Sequence, residues 1–196
     1  MINSRFYLIV DHTDWLKRLL PLGVKLVQLR IKDKATDVVA QQIEKAKALC
    51  EQYGAQLIVN DYWRIAIDKR CDFVHLGQED LEAADVELIK QSGLKLGIST
   101  HSQSELDYAM SFKPDYIALG PIYETKLKKM KYDPQGLDEL TQWKQQIGDT
   151  PLVAIGGMTP ERARLSLNAG ADSVAVVTDI LLNPSPELRT QEWLKI

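Results

Sequence analysis

Eight short apolar runs recur along the chain, each ending in small, polar or charged residues, with helix-length stretches between them. They are Phe6-Val10, Leu26-Leu29, Leu57-Val59, Phe73-Leu76, Leu96-Ile98, Tyr116-Leu119, Leu152-Ile155 and Val174-Val177. Most are continuous rather than alternating, as in parallel strands covered on both faces. An open, doubly wound sheet shares that local signal, but it gathers its ligand groups at one switch point. Here polar groups follow nearly every run. The reading is an α/β chain closed into a single-domain (β/α)8 TIM barrel over residues 1–196. In such a barrel the carboxyl ends of all strands share one rim, where catalytic groups sit. Polar residues scattered through the sequence become a ring in space.

A chain of 196 residues can bury a substantial core, although it is at the short end for this barrel. The 24 basic and 27 acidic residues leave a net charge of −3. That argues against a general nucleic-acid surface, which needs a basic excess. No apolar stretch approaches the roughly 20 residues of a membrane span. The first strand follows Met1-Ile2-Asn3-Ser4-Arg5 with no long apolar signal core. Cys50 and Cys71 lack metal-type spacing and read as reduced packing thiols. The expectation is a soluble, cytoplasmic protein with no membrane partner.

Helices are expected at Trp15-Leu20, Thr36-Tyr53, Tyr62-Lys69, Ala84-Ser92, Ser104-Met110, Leu137-Gln146, Pro160-Asn168 and Pro186-Leu194. The clearest is Thr36-Tyr53, whose Val39, Ile43, Ala46 and Cys50 keep a helical stripe that Gly54 closes. The longest connection, Ile122-Gly136, follows the sixth run and carries Lys126, Lys128, Lys129 and Lys131. A loop of that length in a compact domain is usually functional or disordered.

Gln28, Arg30 and Lys32 alternate with apolar residues, so an extended backbone points them the same way. Two unpaired cations at a barrel mouth are costly. An ion pair with Asp33 or another rim carboxylate would satisfy them. A bound polyphosphate does so better, Arg as a fork and Lys as a point charge. Asp61 alone could cap the helix at Tyr62, and Asp80 alone the helix after it. As a pair on adjacent strand ends they suit Mg²⁺, which keeps waters and substrate phosphates in its remaining positions. Gly156-Gly157-Met158-Thr159-Pro160 and the turn at Val177-Thr178 follow the last two runs, where barrels frequently bind phosphate. A turn requiring positive φ explains the glycines equally well. The three histidines, His12, His75 and His101, have no metal spacing. His75 reads as a hydrogen-bonded core imidazole, and the four tryptophans as packing residues on helices.

The segments Val27-Gln28-Leu29-Arg30-Ile31-Lys32-Asp33, Val59-Asn60-Asp61 and Val74-His75-Leu76-Gly77-Gln78-Glu79-Asp80 resemble the thiamine-phosphate synthase family. So do Gly97-Ile98-Ser99-Thr100-His101, Tyr116-Ile117-Ala118-Leu119-Gly120-Pro121-Ile122-Tyr123, Pro134-Gln135-Gly136-Leu137, Val153-Ala154-Ile155-Gly156-Gly157 and Val174-Ala175-Val176-Val177. The resemblance runs in order from about residue 6 to about 180. It implies a transferase of thiamine biosynthesis that condenses 4-amino-2-methyl-5-hydroxymethylpyrimidine diphosphate with thiazole phosphate or its carboxylate, releasing pyrophosphate. It further implies that Gln28, Arg30, Lys32 and Asn60 hold the pyrimidine diphosphate and that Asp61 and Asp80 bind Mg²⁺. Ser99 and Lys128 would contact the diphosphate as catalytic groups. Thr125, Gly157, Val177 and Thr178 would receive the thiazole phosphate. In the family the bond from the pyrimidine methylene to diphosphate breaks first, and the thiazole nitrogen captures the resulting cation.

Two positions depart from the family pattern. Leu127 stands where the loop usually carries a second Thr, and Thr178-Asp179 where Ser-Ala is common. The related thiazole tautomerases have a similar barrel but need no Mg²⁺-diphosphate clamp, and a non-catalytic phosphate sensor could lose both aspartates. Asp80 with the Gln28-Arg30-Lys32 set favours the synthase. The sequence leaves open the oligomeric state, a homo-oligomer included, and the thiazole tautomer used.

Overall fold

The structure is a computed structural model and describes residue 2 and residues 4–125 and 133–196. Its strands are β1 (Phe6–Val10), β2 (Leu26–Leu29), β3 (Gln56–Asn60), β4 (Phe73–Leu76), β5 (Lys95–Thr100), β6 (Tyr116–Leu119), β7 (Leu152–Ile155) and β8 (Ser173–Val176). All pair in parallel with their sequence neighbours, and β8 pairs with β1, closing an eight-stranded barrel. The expected (β/α)8 architecture is observed. The helices are α1 (Thr13–Leu19), α2 (Thr36–Tyr53), α3 (Trp63–Asp68), α4 (Gln78–Ala83), α5 (Val86–Gln91), α6 (Gln103–Ser111), α7 (Gly136–Ile147), α8 (Pro160–Asn168), α9 (Thr178–Leu181) and α10 (Pro186–Trp193).

Period two divides the strand residues between two cores. Phe6, Leu8 and Val10 of β1 face outward and pack with the helices, whereas Tyr7 and Ile9 face the barrel axis. The same division puts Leu26, Ile58, Phe73, Tyr116, Val153 and Ala175 inside. Outside, α2 buries Val39, Ile43, Ala46 and Cys50 and ends at Gly54, whose φ of 61° suits the left-handed stop. The Thr159 side chain caps α8, and Pro160 opens it. Trp143 and Trp193 are fully buried on their helices, and Trp193 stacks on Phe6 with ring centroids 5.4 Å apart. Cys50 and Cys71 are free thiols.

Several boundaries differ from the sequence expectation. The first helix starts at Thr13 rather than Trp15, with His12 as its cap, and Leu20–Leu22 tightens into a 3-10 turn around Pro21. Strand β5 continues through Ser99 and Thr100, so Ser99 belongs to the strand and not to the turn after it. Strand β8 ends at Val176 and leaves Val177 beyond it. Helices α4 and α9 were not anticipated, being too short, at six and four residues, to display a helical period. The helix expected at Ala84 begins at Val86, and the Asp85 side chain caps it.

Candidate active site

A cavity of about 490 Å³ opens at the carboxyl end of the barrel. Gln28, Arg30, Asn60, Ser99, Thr125, Gly157, Val177 and Thr178, which the family resemblance names as ligand-binding, all line it. Ile9, Ala118, Val153, Ile155 and Ala175 make its apolar wall, so polar groups sit against a surface suited to a flat ring. Gln28 and Asn60 are buried polar groups of that lining, at 2% and 5% exposure, as are His75 and Thr100. The Asn60 side-chain nitrogen is buried without a hydrogen-bond acceptor among the described residues. An orphaned donor on a cavity wall favours a ligand that accepts there.

Lys32, Asp61 and Asp80 sit beside the cavity rather than on its wall. Strand β2 stops at Leu29, so the alternation that should align Lys32 with Gln28 and Arg30 ends before it arrives. Lys32 instead forms an ion pair with Asp61, the rim-carboxylate partner that the sequence reading had set against a bound polyphosphate. The capping alternatives for the two aspartates fail. Tyr62 holds the cap position of α3 with no side-chain bond, and Asp80 lies inside the first turn of α4. Burial and the facing Asp61 carboxylate together push the Asp80 carboxyl's pKa upward, with Lys32 opposing. Two carboxylates thus converge where a cation is electrostatically favoured. Among the described residues no group of three or more His, Cys, Asp or Glu could hold a metal. Two oxygen donors still fit Mg²⁺, whose other positions go to water and phosphate.

On the opposite side, Gly156 and Gly157 adopt φ of 104° and 62°. The conformational explanation of these glycines therefore holds, and a second constraint joins it. A Cβ on Gly157 would lie 2.4 Å from the Glu124 carbonyl oxygen. The turn after β7 thus packs directly against the chain leaving β6, bringing Thr125 and Gly157 to one cavity. Arg162 reinforces this junction, with its guanidinium on the Gly157 carbonyl (2.5 Å) and 4.7 Å from the Tyr123 ring centroid. Thr178 opens α9, a helical turn where a simple loop was expected. The next residue, Asp179, accepts two hydrogen bonds from Arg189, at 2.7 and 3.0 Å, and one from Trp193 at 2.8 Å. Its carboxylate therefore ties α9 to α10. Lys126, Leu127, Lys128, Lys129 and Lys131 lie outside the described residues.

The floor of the cavity is polar, although no strand-end motif marks it. His75 is a buried, hydrogen-bonded imidazole, as expected, but it also lines the cavity, with Nδ1 2.6 Å from the Tyr116 hydroxyl and Nε2 2.6 Å from Ser99 Oγ. Burial holds its pKa down to about 4, so the ring is neutral at neutral pH. Burial likewise raises the pKa values of the Tyr7 and Tyr116 phenols, which stay protonated. His101 lines the cavity too and pairs with Glu105 at 2.9 Å. Only the period-two register, visible once the barrel closes, could have flagged Tyr7 and Tyr116.

The thiamine monophosphate synthase family model matches residues 6–180. The chain belongs to that family. Thiamine-phosphate synthase of Rhizobium etli is 61% identical over 189 residues, covering 96% of this chain and 93% of that protein. The Salmonella typhimurium thiamine-phosphate synthase is 48% identical over 190 residues, covering 97% of this chain and 90% of its own length. Among solved structures, thiamine phosphate pyrophosphorylase from Pyrococcus furiosus superposes with a TM-score of 0.86 at 27% identity, over 97% of this chain and 94% of that one. No helix among the described residues is long and apolar enough to cross a membrane. Within this family, the Asp179 departure has a structural explanation: its carboxylate holds α10.

Proposed function

We propose that the protein condenses 4-amino-2-methyl-5-hydroxymethylpyrimidine diphosphate with thiazole phosphate, or its carboxylate, to form thiamine phosphate and pyrophosphate. The observation that carries this reading is the two-sided cavity. Gln28, Arg30 and Asn60 line one part, Thr125, Gly157, Val177 and Thr178 another, and the Asp61–Asp80 pair lies beside it. A synthase needs room for two ligands and stabilisation for one departing diphosphate. Gln28 and the orphaned Asn60 amide suit the polar edge of the pyrimidine, while the apolar wall takes its ring face. Arg30 is the cation that lines the cavity for the diphosphate, while Lys32, paired with Asp61 beside it, and Lys128 are assigned to the diphosphate by family resemblance. The turns at Gly157 and Thr178 present backbone amides and a hydroxyl to the thiazole phosphate.

In the reaction the methylene carbon–oxygen bond breaks and its electron pair leaves with pyrophosphate. The thiazole nitrogen then supplies the pair for the new carbon–nitrogen bond. No side chain has to act as nucleophile. The neutral His75, Tyr7 and Tyr116 put no positive charge beneath the developing cation. Asp61 and Asp80 would hold Mg²⁺, which when bound supplies charge stabilisation to the leaving pyrophosphate. The free thiols accord with a reducing, cytoplasmic setting. The test is pyrophosphate release. It should require both substrates, stop on chelation of Mg²⁺ and yield thiamine phosphate by mass. No release with both substrates present, or release with both present that yields no thiamine phosphate, would overturn the reading.

A further inference from the structure

Five polar side chains cross the barrel interior in one unbroken series. Gln28 Nε2 donates to the Tyr7 hydroxyl at 2.8 Å, and the Tyr7 and Tyr116 hydroxyls lie 3.0 Å apart. Tyr116 meets His75 Nδ1 and Ser99 meets His75 Nε2, both at 2.6 Å. Gly97 makes the series possible. A Cβ there would lie 2.1 Å from the Tyr116 ring, which stacks on His75 at 5.5 Å and 17°. Leu26, Ile58 and Phe73 fill the interior nearby without polar atoms, so packing alone does not require these hydroxyls. A buried polar series is favourable only when every member is satisfied, and it then fixes a unique arrangement.

The hydroxyl and imidazole contacts by themselves allow either sense, and the Gln28 end sets the direction of the series. Each phenol gives one hydrogen, and a neutral imidazole has one donor and one acceptor nitrogen. The Gln28 amide gives a hydrogen to Tyr7. Tyr7 then gives its own to Tyr116, and Tyr116 gives to Nδ1, which leaves the ring proton on Nε2. That proton is donated to Ser99 Oγ. The Ser99 oxygen is thereby satisfied, and its own hydrogen is left for the cavity. Gln78 Nε2 meanwhile donates to the Ser99 carbonyl at 2.7 Å, holding the backbone at this point. Run in the opposite sense, Ser99 would give its hydrogen to His75 and present only lone pairs to an anion.

We propose that His75 is a positioning residue: the series runs from Gln28 to Ser99, holds His75 as the Nε2–H tautomer, and makes Ser99 a dedicated hydrogen-bond donor to the substrate diphosphate. The diphosphate part rests on the function proposed above; the tautomer does not. Nitrogen-15 ring spectra of the ligand-free protein, assigned by the signals lost in His75→Gln, should find His75 protonated at Nε2 and bare at Nδ1. Tyr116→Phe keeps the stacked ring but removes the donor to Nδ1. It should shift His75 to a mixture of tautomers and lower kcat about tenfold, leaving KM for the thiazole phosphate unchanged. Tyr7→Phe breaks the series one step earlier, leaves Tyr116 able to donate, and should keep the Nε2–H tautomer. A wild-type His75 protonated at Nδ1, or a Tyr116→Phe protein with unaltered tautomer and turnover, would overturn the proposal. Because the spectra need no substrate, failure of the synthase reading would appear separately, as absent pyrophosphate release.

Discussion

Asp61 combines a left-handed backbone, φ 63°, with a carboxylate that faces Asp80 and pairs with Lys32. A substitution there tests charge only if it also tolerates the backbone. Asparagine visits that region routinely, whereas alanine adds roughly 1–2 kcal/mol of strain. Asp61→Asn should therefore fold normally and lose turnover roughly a hundredfold or more, since the metal's charge stabilisation goes with the carboxylate. Thermal melts and pyrophosphate release measure the two effects, and full activity at limiting Mg²⁺ would remove Asp61 from the metal site. Arg30 lines the cavity, so Arg30→Met tests the diphosphate contact. Losing a charge-assisted bond costs about 1.5–3 kcal/mol, which is roughly tenfold or more in affinity. Calorimetry should find that loss for the pyrimidine diphosphate and less for the monophosphate; equal losses would put Arg30 at the ring. At this scale the sequence was informative wherever a charged residue follows a strand. It was silent on Tyr7 and Tyr116, because an aromatic residue within an apolar run reads as core until its hydroxyl's neighbours are known.

Helices of four and six residues, α9 and α4, position Thr178 and Asp80, and neither has the length to carry a pattern. Their placement comes instead from tertiary contacts. Asp179 holds α9 through the Arg189 fork and the Trp193 indole, with the Asp179 and Arg189 side chains only 17% and 20% exposed. Arg189→Met leaves that carboxylate short of partners and should destabilise the fold by about 1–3 kcal/mol. Because Thr178 is the adjacent residue, KM for the thiazole phosphate should rise several-fold while pyrimidine binding stays put. Urea unfolding and paired KM values measure this, and a rise in both KM values would mean that the damage spreads beyond α9. Gly97 gives the complementary lesson. A glycine inside a strand reads as a weakness in the sequence, yet here it accommodates the Tyr116 ring.

Barrel closure was legible because a polar or small residue follows nearly every apolar run, and one shared rim accounts for all of them. Strand register was not legible, and register decides that Gln28, Tyr7, Tyr116 and His75 meet inside. That buried polar floor makes the stability of the whole molecule sensitive to acid. His75 titrates near 6.5 in the unfolded chain and near about 4 in the folded one. Between those values the unfolded state binds the extra proton. The stabilisation is thus essentially complete above about pH 6.5 and declines as pH falls toward about 4, amounting to about 2 kcal/mol between pH 7 and pH 5. Asp80 acts in the opposite sense. Its raised pKa means that the folded state takes up a proton before the unfolded carboxyl does, so acidification relieves strain there. Urea unfolding at pH 7 and pH 5 separates the two. His75→Gln should remove the acid loss, whereas Asp80→Asn, lacking the opposing carboxyl, should enlarge it. An acid loss unchanged by His75→Gln would locate the sensitivity outside the barrel floor.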